Sequence, residues 1–94
     1  MLKTKSVESV TYIKNMVILF SADWCGPCKP VKRALDMIAT QKGVPAFLID
    51  VEECPEQAEH YKISGLPTVL IFKDGTLSKM LTGSITDKEL REVL

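Results

Sequence analysis

Cys25-Gly-Pro-Cys28 is the segment of this sequence with the most chemistry in it. Thiols at that spacing can close a small disulfide and reopen it by exchange with another disulfide. Pro27 suits the first position of a helix, which places Cys25 at the helix N-terminus. Unpaired backbone N–H groups and the positive end of the helix dipole favour a thiolate there. Cys28 lies a turn inward and shielded, so labour divides: Cys25 attacks a substrate disulfide and Cys28 resolves the mixed disulfide. Lys29 and Lys32 add positive charge on the same helix, partly offset by Asp23 and Asp36. Two other uses of the pair stay open on spacing alone. Such a pair can be half of a zinc site, but structural zinc normally takes four ligands. Only Cys54 and His60 remain as candidates, at no recognisable spacing, so no metal is expected. A purely structural disulfide is the other use, disfavoured where thiols are kept reduced.

The flanking residues read as the frame for that pair. Met16–Phe20 is a continuous apolar run of β-formers, as in a strand buried on both faces. Ser21–Gly26 is loop, and a helix follows from Pro27 to about Gln41, with Val31, Leu35, Ile38 and Ala39 at helical spacing and Gly43 beyond its end. Pro30 falls in the first turn, where a missing N–H costs little. Ala46–Ile49 is a second buried strand, and Pro55 opens a short helix through Ala58 and Tyr61. Thr68–Phe72 is a third strand, joined through Asp74-Gly75 to Leu77–Leu81 as a hairpin. Thr86-Asp-Lys-Glu89 is a capping box for a terminal helix with Leu90, Val93 and Leu94 inward. Ahead of all this, Met1–Thr4 reads as an edge strand and Ser6–Lys14 as a helix capped by Ser6. The order is βαβαβαββα, an α/β protein whose mixed sheet is covered by helices on both faces.

The chain has 94 residues, which suits one domain over 1–94. Twelve Lys and Arg balance twelve Asp and Glu, which excludes the basic excess of a nucleic-acid binder. No apolar run nears the roughly 18 residues of a membrane span. Lys3 and Lys5 resemble the start of a signal peptide, but Ser6–Asn15 is polar-mixed and no small-residue cleavage site follows. A cytoplasmic location is expected. Cys54, beside Glu52 and Glu53, reads as an inert spare thiol, since carboxylates raise a thiol pKa; a regulatory or dimer-forming thiol is the alternative. The acidic run Asp50–Glu59 reads as a solvated face or a partner-selective patch. His60 reads as a surface residue.

Trp24-Cys-Gly-Pro-Cys28 is identical to the active-site pentapeptide of thioredoxins, and the element order resembles the complete thioredoxin fold with an abbreviated N-terminal region. Gly65-Leu-Pro67-Thr68, Phe72-Lys-Asp-Gly75 and Gly83 match further segments of that family, so the resemblance covers nearly the whole chain. It implies a protein-disulfide reductase with no bound cofactor, with Cys25 as nucleophile and Cys28 as resolving thiol. Pro67 would be cis, and Trp24, Gly26, Pro27, Leu66 and Gly83 would form the apolar contact surface around Cys25. The implied partners are a thioredoxin reductase or equivalent electron donor and disulfide-containing protein substrates, served by a monomer. A dedicated donor to one enzyme is a variant of that reading; a redox-independent subunit of a larger assembly is the alternative.

The sequence departs from the family at two places. An acid usually stands on the central strand six residues before the nucleophile, where this chain has Leu19. A charge often stands nineteen residues before the cis-proline, where this chain has Leu48. Losing both together avoids a stranded buried charge. The core should gain stability, and the proton of Cys28 should pass instead to water or Asp23.

Overall fold

Met16–Ser21 is buried at all six positions and forms the middle strand of a five-stranded sheet. A computed structural model describes residues 1–94. Successive side chains of a strand point to opposite faces, so Val17 and Leu19 enter one core while Met16, Ile18 and Phe20 enter the other. In chain order the strands are β1 (Leu2–Lys3), β2 (Met16–Ser21), β3 (Ala46–Asp50), β4 (Thr68–Lys73) and β5 (Thr76–Thr82). The helices are α1 (Cys28–Lys42), α2 (Pro55–His60) and α3 (Asp87–Val93). The sheet order is β1-β3-β2-β4-β5. Strands β1, β3 and β2 run parallel, whereas β4 is antiparallel to β2 and β5 to β4.

The connection from β3 carries α2 and returns the chain to the sheet from the end at which β3 left it, so β4 enters antiparallel to β2. Asp74 and Gly75 then reverse it with φ of 54° and 79°, the left-handed pair that a two-residue hairpin of this type requires. The tip is tied down by Gly75 N–H to the Lys14 carbonyl (2.9 Å) and Asp74 N–H to Asn15 Oδ1 (3.1 Å).

Helices lie on both faces. Val31, Leu35, Ile38 and Ala39 of α1 pack with Leu90 of α3 against Val17, Leu19, Val69 and Ile71. Each fully buried Leu or Ile contributes roughly 1.5–3 kcal/mol by leaving water. The capping box of α3 is formed: Glu89 N–H donates to Thr86 Oγ1 (3.1 Å) and Thr86 N–H donates to Glu89 Oε1 (3.0 Å).

The opposite face corrects one expectation. The helix expected over Ser6–Lys14 is a single 3-10 turn at Glu8–Val10. Val7, Val10, Thr11 and Ile13 are β-branched and poor helix formers, and the hydroxyls compete for the backbone. Ser9 N–H donates to Ser6 Oγ, and Thr11 Oγ1 donates back to the Glu8 carbonyl. Val7 and Val10 still enter the core. Gln57 of α2 anchors the turn, accepting from Val7 N–H at 2.9 Å and donating to Glu8 Oε1 at 2.9 Å. Tyr61 donates its hydroxyl to Glu8 Oε2 at 3.0 Å.

These bonds give the turn a pH dependence. The Gln57 hydrogen bond, helped by that of Tyr61, holds the Glu8 carboxyl below its ordinary range. Burial and the Glu8 contact push Tyr61 up to about 12. The Glu8 contribution is present above the unfolded carboxyl pKa and fades as pH falls through the lower folded value. The Tyr61 contribution is complete below the unfolded phenol pKa and is lost as pH rises towards about 12. Gln57→Leu should cost about 2 kcal/mol in denaturant unfolding, because the buried Val7 N–H loses its acceptor. Tyr61→Phe should flatten the alkaline limb of stability against pH and weaken, without removing, the acid limb, because the Gln57 bond still holds Glu8.

Candidate active site

Strand β2 ends at Ser21, and the chain turns through Ala22–Pro27 into α1. The turn is held by its own backbone: Cys25 N–H donates to the Ala22 carbonyl (3.1 Å) and Cys28 N–H to the Cys25 carbonyl (3.3 Å). Cys28 is the first residue of α1, so Pro27 flanks the helix one position earlier than expected. Pro30 then stands third in α1, where no intrahelical partner is lost. Cys25 and Cys28 are joined in a disulfide with Cα atoms 5.4 Å apart. The pair is recessed, with Cys25 4% and Cys28 2% exposed, whereas neighbouring Trp24 is 69% exposed. Ala22, Cys25 and Cys28 form a small apolar cluster with Val51 and Leu66 against it.

The surface around the disulfide divides into a groove and a cavity. Pro27, Leu66, Pro67 and Gly83 line one groove of about 420 Å³, which also takes in Pro30, Val31 and the segment Ser84–Asp87. The Leu66–Pro67 bond is cis, as the resemblance implied. Two bonds fix this segment: Thr68 Oγ1 donates to the Gly65 carbonyl at 2.6 Å, and Gly83 N–H donates to the Pro67 carbonyl at 3.1 Å. Gly83 has φ of 80°, a conformation L side chains rarely adopt. Trp24 and Gly26 are exposed beside the disulfide but do not line the groove. Ile85 lines the groove with no sequence signal of its own, while Thr68 braces it from within the Gly65-Leu-Pro67-Thr68 run.

On the other side, Cys25 and Cys28 line a cavity of about 410 Å³ with Asp23, Lys29, Leu48 and Asp50 among its walls. Asp50 corrects a second expectation. It does not share the solvated acidic face; it is only 7% exposed, while Glu52, Glu53, Glu56 and Glu59 are exposed. Its Oδ1 accepts from the N–H groups of Glu52 (2.8 Å) and Glu53 (3.3 Å), so the aspartate closes the turn after β3.

Leu19 and Leu48 are direct partners in the β2–β3 register and belong to the same core beneath α1. Leu19 has no exposed surface. Cys54 is free and 4% exposed, and burial first, then Glu56 and Glu53, pushes its thiol up. The upward shift of the thiol thus owes more to burial than to the carboxylates. His60 is exposed and meets the Tyr61 ring edge-on. No group of three or more His, Cys, Asp or Glu residues is arranged to hold a metal ion.

A mixed sheet that delivers a Cys-x-x-Cys disulfide to the start of a helix, with Leu66 of the Leu66–Pro67 segment packed against it, is the arrangement of a thiol–disulfide oxidoreductase. The family described as Thioredoxin matches residues 3–94. A thioredoxin of Mycoplasmoides gallisepticum is 37% identical over 86% of this chain and 82% of its own length. A Mycobacterium bovis thioredoxin is also 37% identical, over 76% of this chain and 63% of its own length. Among solved structures, a variant thioredoxin from Halobacterium salinarum superposes with a TM-score of 0.88 at 26% identity, covering 97% of this chain and 84% of that one. The chain belongs to the thioredoxin family. No helix is long and apolar enough to cross a membrane.

The apolar Leu19–Leu48 pair has a measurable consequence. Leu19→Asp should cost more than about 3 kcal/mol in denaturant unfolding at neutral pH, because an unpaired charge enters a dry core. Adding Leu48→Lys to that variant should recover part of the loss.

Proposed function

We propose that residues 1–94 work as one unit that reduces protein disulfides by dithiol–disulfide exchange. The observation that carries this reading is the Cys25–Cys28 pair at the start of α1, beside the groove that holds Pro67 and Gly83. In the reduced protein the Cys25 thiolate attacks one sulfur of the substrate disulfide, and the other sulfur leaves as a thiolate. Cys28, deprotonated, then attacks Cys25 Sγ, closing the Cys25–Cys28 bond and releasing the second substrate thiolate. The substrate gains two electrons and the enzyme dithiol loses them. Because the pair is recessed, a substrate must lie against Trp24, Gly26 and Pro27 to reach Cys25. Its backbone then rests in the groove formed by Leu66, Pro67 and Gly83.

The oxidised pair must be reduced again, and a thioredoxin reductase or an equivalent donor fills that role. The protein acts as a monomer in a compartment such as the cytoplasm, where the reduced form is regenerated. Its balanced surface charge suits docking through apolar contact with many partners.

Insulin reduction with dithiothreitol as the electron source tests the reading. The protein should accelerate insulin precipitation, Cys25→Ser and Cys28→Ser should each abolish the acceleration, and Cys54→Ser should keep it. No acceleration by the unaltered chain would overturn the reading.

A further inference from the structure

The resolving step needs a base. A thiol attacks as its thiolate, so the Cys28 proton must go somewhere before the Cys25–Cys28 bond can close. Beneath α1 the central strands offer no acceptor, because the neighbouring side chains there are Leu19 and Leu48. The acceptor must come from the cavity that Cys28 lines.

The groups that face this cavity can be sorted by chemistry. Lys3 from β1 and Lys29 and Lys32 from α1 are ammonium donors without a lone pair, and the Met1 amino terminus, whose residue also lines the cavity, is an ammonium paired with Asp36 at 2.8 Å. Lys3 is in addition engaged with Glu53, which holds its proton more tightly. Ser21 offers a hydroxyl, a poor base. Two carboxylates remain, Asp23 from the loop and Asp50 from the end of β3. Asp23 is exposed on the loop and open to bulk solvent, whereas Cys28 is recessed. Asp50 is nine-tenths buried and held by two backbone N–H groups, both on Oδ1, which leaves Oδ2 unengaged by them. By strand alternation it shares the face of Leu48, two residues nearer the strand end at which the disulfide sits.

Asp50 also lines a second cavity, of about 370 Å³, with Lys5, Ser9, Glu53 and Cys54. The Asp50 charge is felt across that cavity too, where it helps to raise the Cys54 thiol. Both cavities have room for water, so Asp50 stands between the space around Cys28 and a separate opening to solvent.

We propose that Asp50 is the proton acceptor for Cys28. In the mixed disulfide the Cys28 S–H proton passes to the Asp50 carboxylate, directly or through water in the shared cavity. The resulting thiolate attacks Cys25 Sγ, the Cys25–substrate bond breaks, and the substrate leaves as a thiolate that takes a proton from solvent. Asp50 then returns its proton to solvent through the second cavity. When the disulfide is reduced, the same path runs in reverse. The proposal rests on the disulfide-exchange reading given above.

Single-turnover reduction of 5,5′-dithiobis(2-nitrobenzoate) separates the two steps, in a Cys54→Ser background that leaves only the working pair. The first thionitrobenzoate reports attack by Cys25, and the second reports resolution by Cys28. Asp50→Asn keeps an acceptor for the Glu52 and Glu53 N–H groups but cannot take a proton. It should slow the second release about tenfold or more at neutral pH and leave the first release unchanged. The acid-side break in the pH profile of the second step should vanish, and added formate should restore part of the rate. Asp23→Asn should retain the break. An unchanged second step in Asp50→Asn, or loss of the break in Asp23→Asn instead, would overturn the proposal.

Should Asp50→Asn not fold, carboxyl-carbon NMR of the unaltered chain decides. The Asp50 titration midpoint should differ between the reduced protein and Cys28→Ser, and identical midpoints would overturn the assignment. Absence of the first release in the unaltered chain would count against disulfide exchange itself.

Discussion

The complete burial of β2 is the constraint on which the rest of this structure depends. A strand with no exposed position must have a neighbour on each edge and a layer on each face. Its alternation supplies both cores at once, Val17 and Leu19 to the side of α1 and α3, Met16, Ile18 and Phe20 to the side of α2 and the N-terminal turn. Rigidity at its end then places the turn that carries Cys25. The disulfide pair is positioned by a strand that cannot shift register without exposing half its side chains.

The same constraint decides where charge can stand near the site. Within the α1-side core the Leu19–Leu48 pair keeps the interior dry. Carboxylates are admitted only where strands end and backbone N–H groups can satisfy them, as at Asp50. Ionisable groups are therefore gathered around the cavity behind the disulfide, while the groove in front of it is built largely from prolines, Leu66, Gly83 and Ile85. The two sides of one sulfur pair have different solvents, one suited to moving protons and the other to docking a chain.

Much of this was legible in the sequence, and the reasons are specific. Met16–Phe20 and Thr68–Phe72 declared themselves as buried strands because continuous apolar runs of β-formers have few other uses. Asp74-Gly75 and Thr86–Glu89 are local motifs whose geometry is set within a few residues, and both formed as read. The N-terminal turn was misread as a helix because Val7, Val10 and Ile13 fit helical spacing. The residue that anchors the turn, Gln57, lies fifty residues from Val7 and leaves no local trace. Asp50 was misplaced for a similar reason: an aspartate at the head of an acidic run looks solvated until the turn folds its own N–H groups onto it. The spacing of Cys25 and Cys28 left zinc and a structural disulfide open until the surrounding pentapeptide was weighed, and the relative positions of groove and cavity needed the fold.

The central claim is that Cys25 attacks and Cys28 resolves. Trapping tests it most directly: a Cys28→Ser variant is mixed with a disulfide-linked peptide and the adduct is located by peptide mapping and mass spectrometry. The account expects one stable mixed disulfide, on Cys25. An adduct on Cys54, or an equal adduct when Cys25 is replaced by serine, would contradict it.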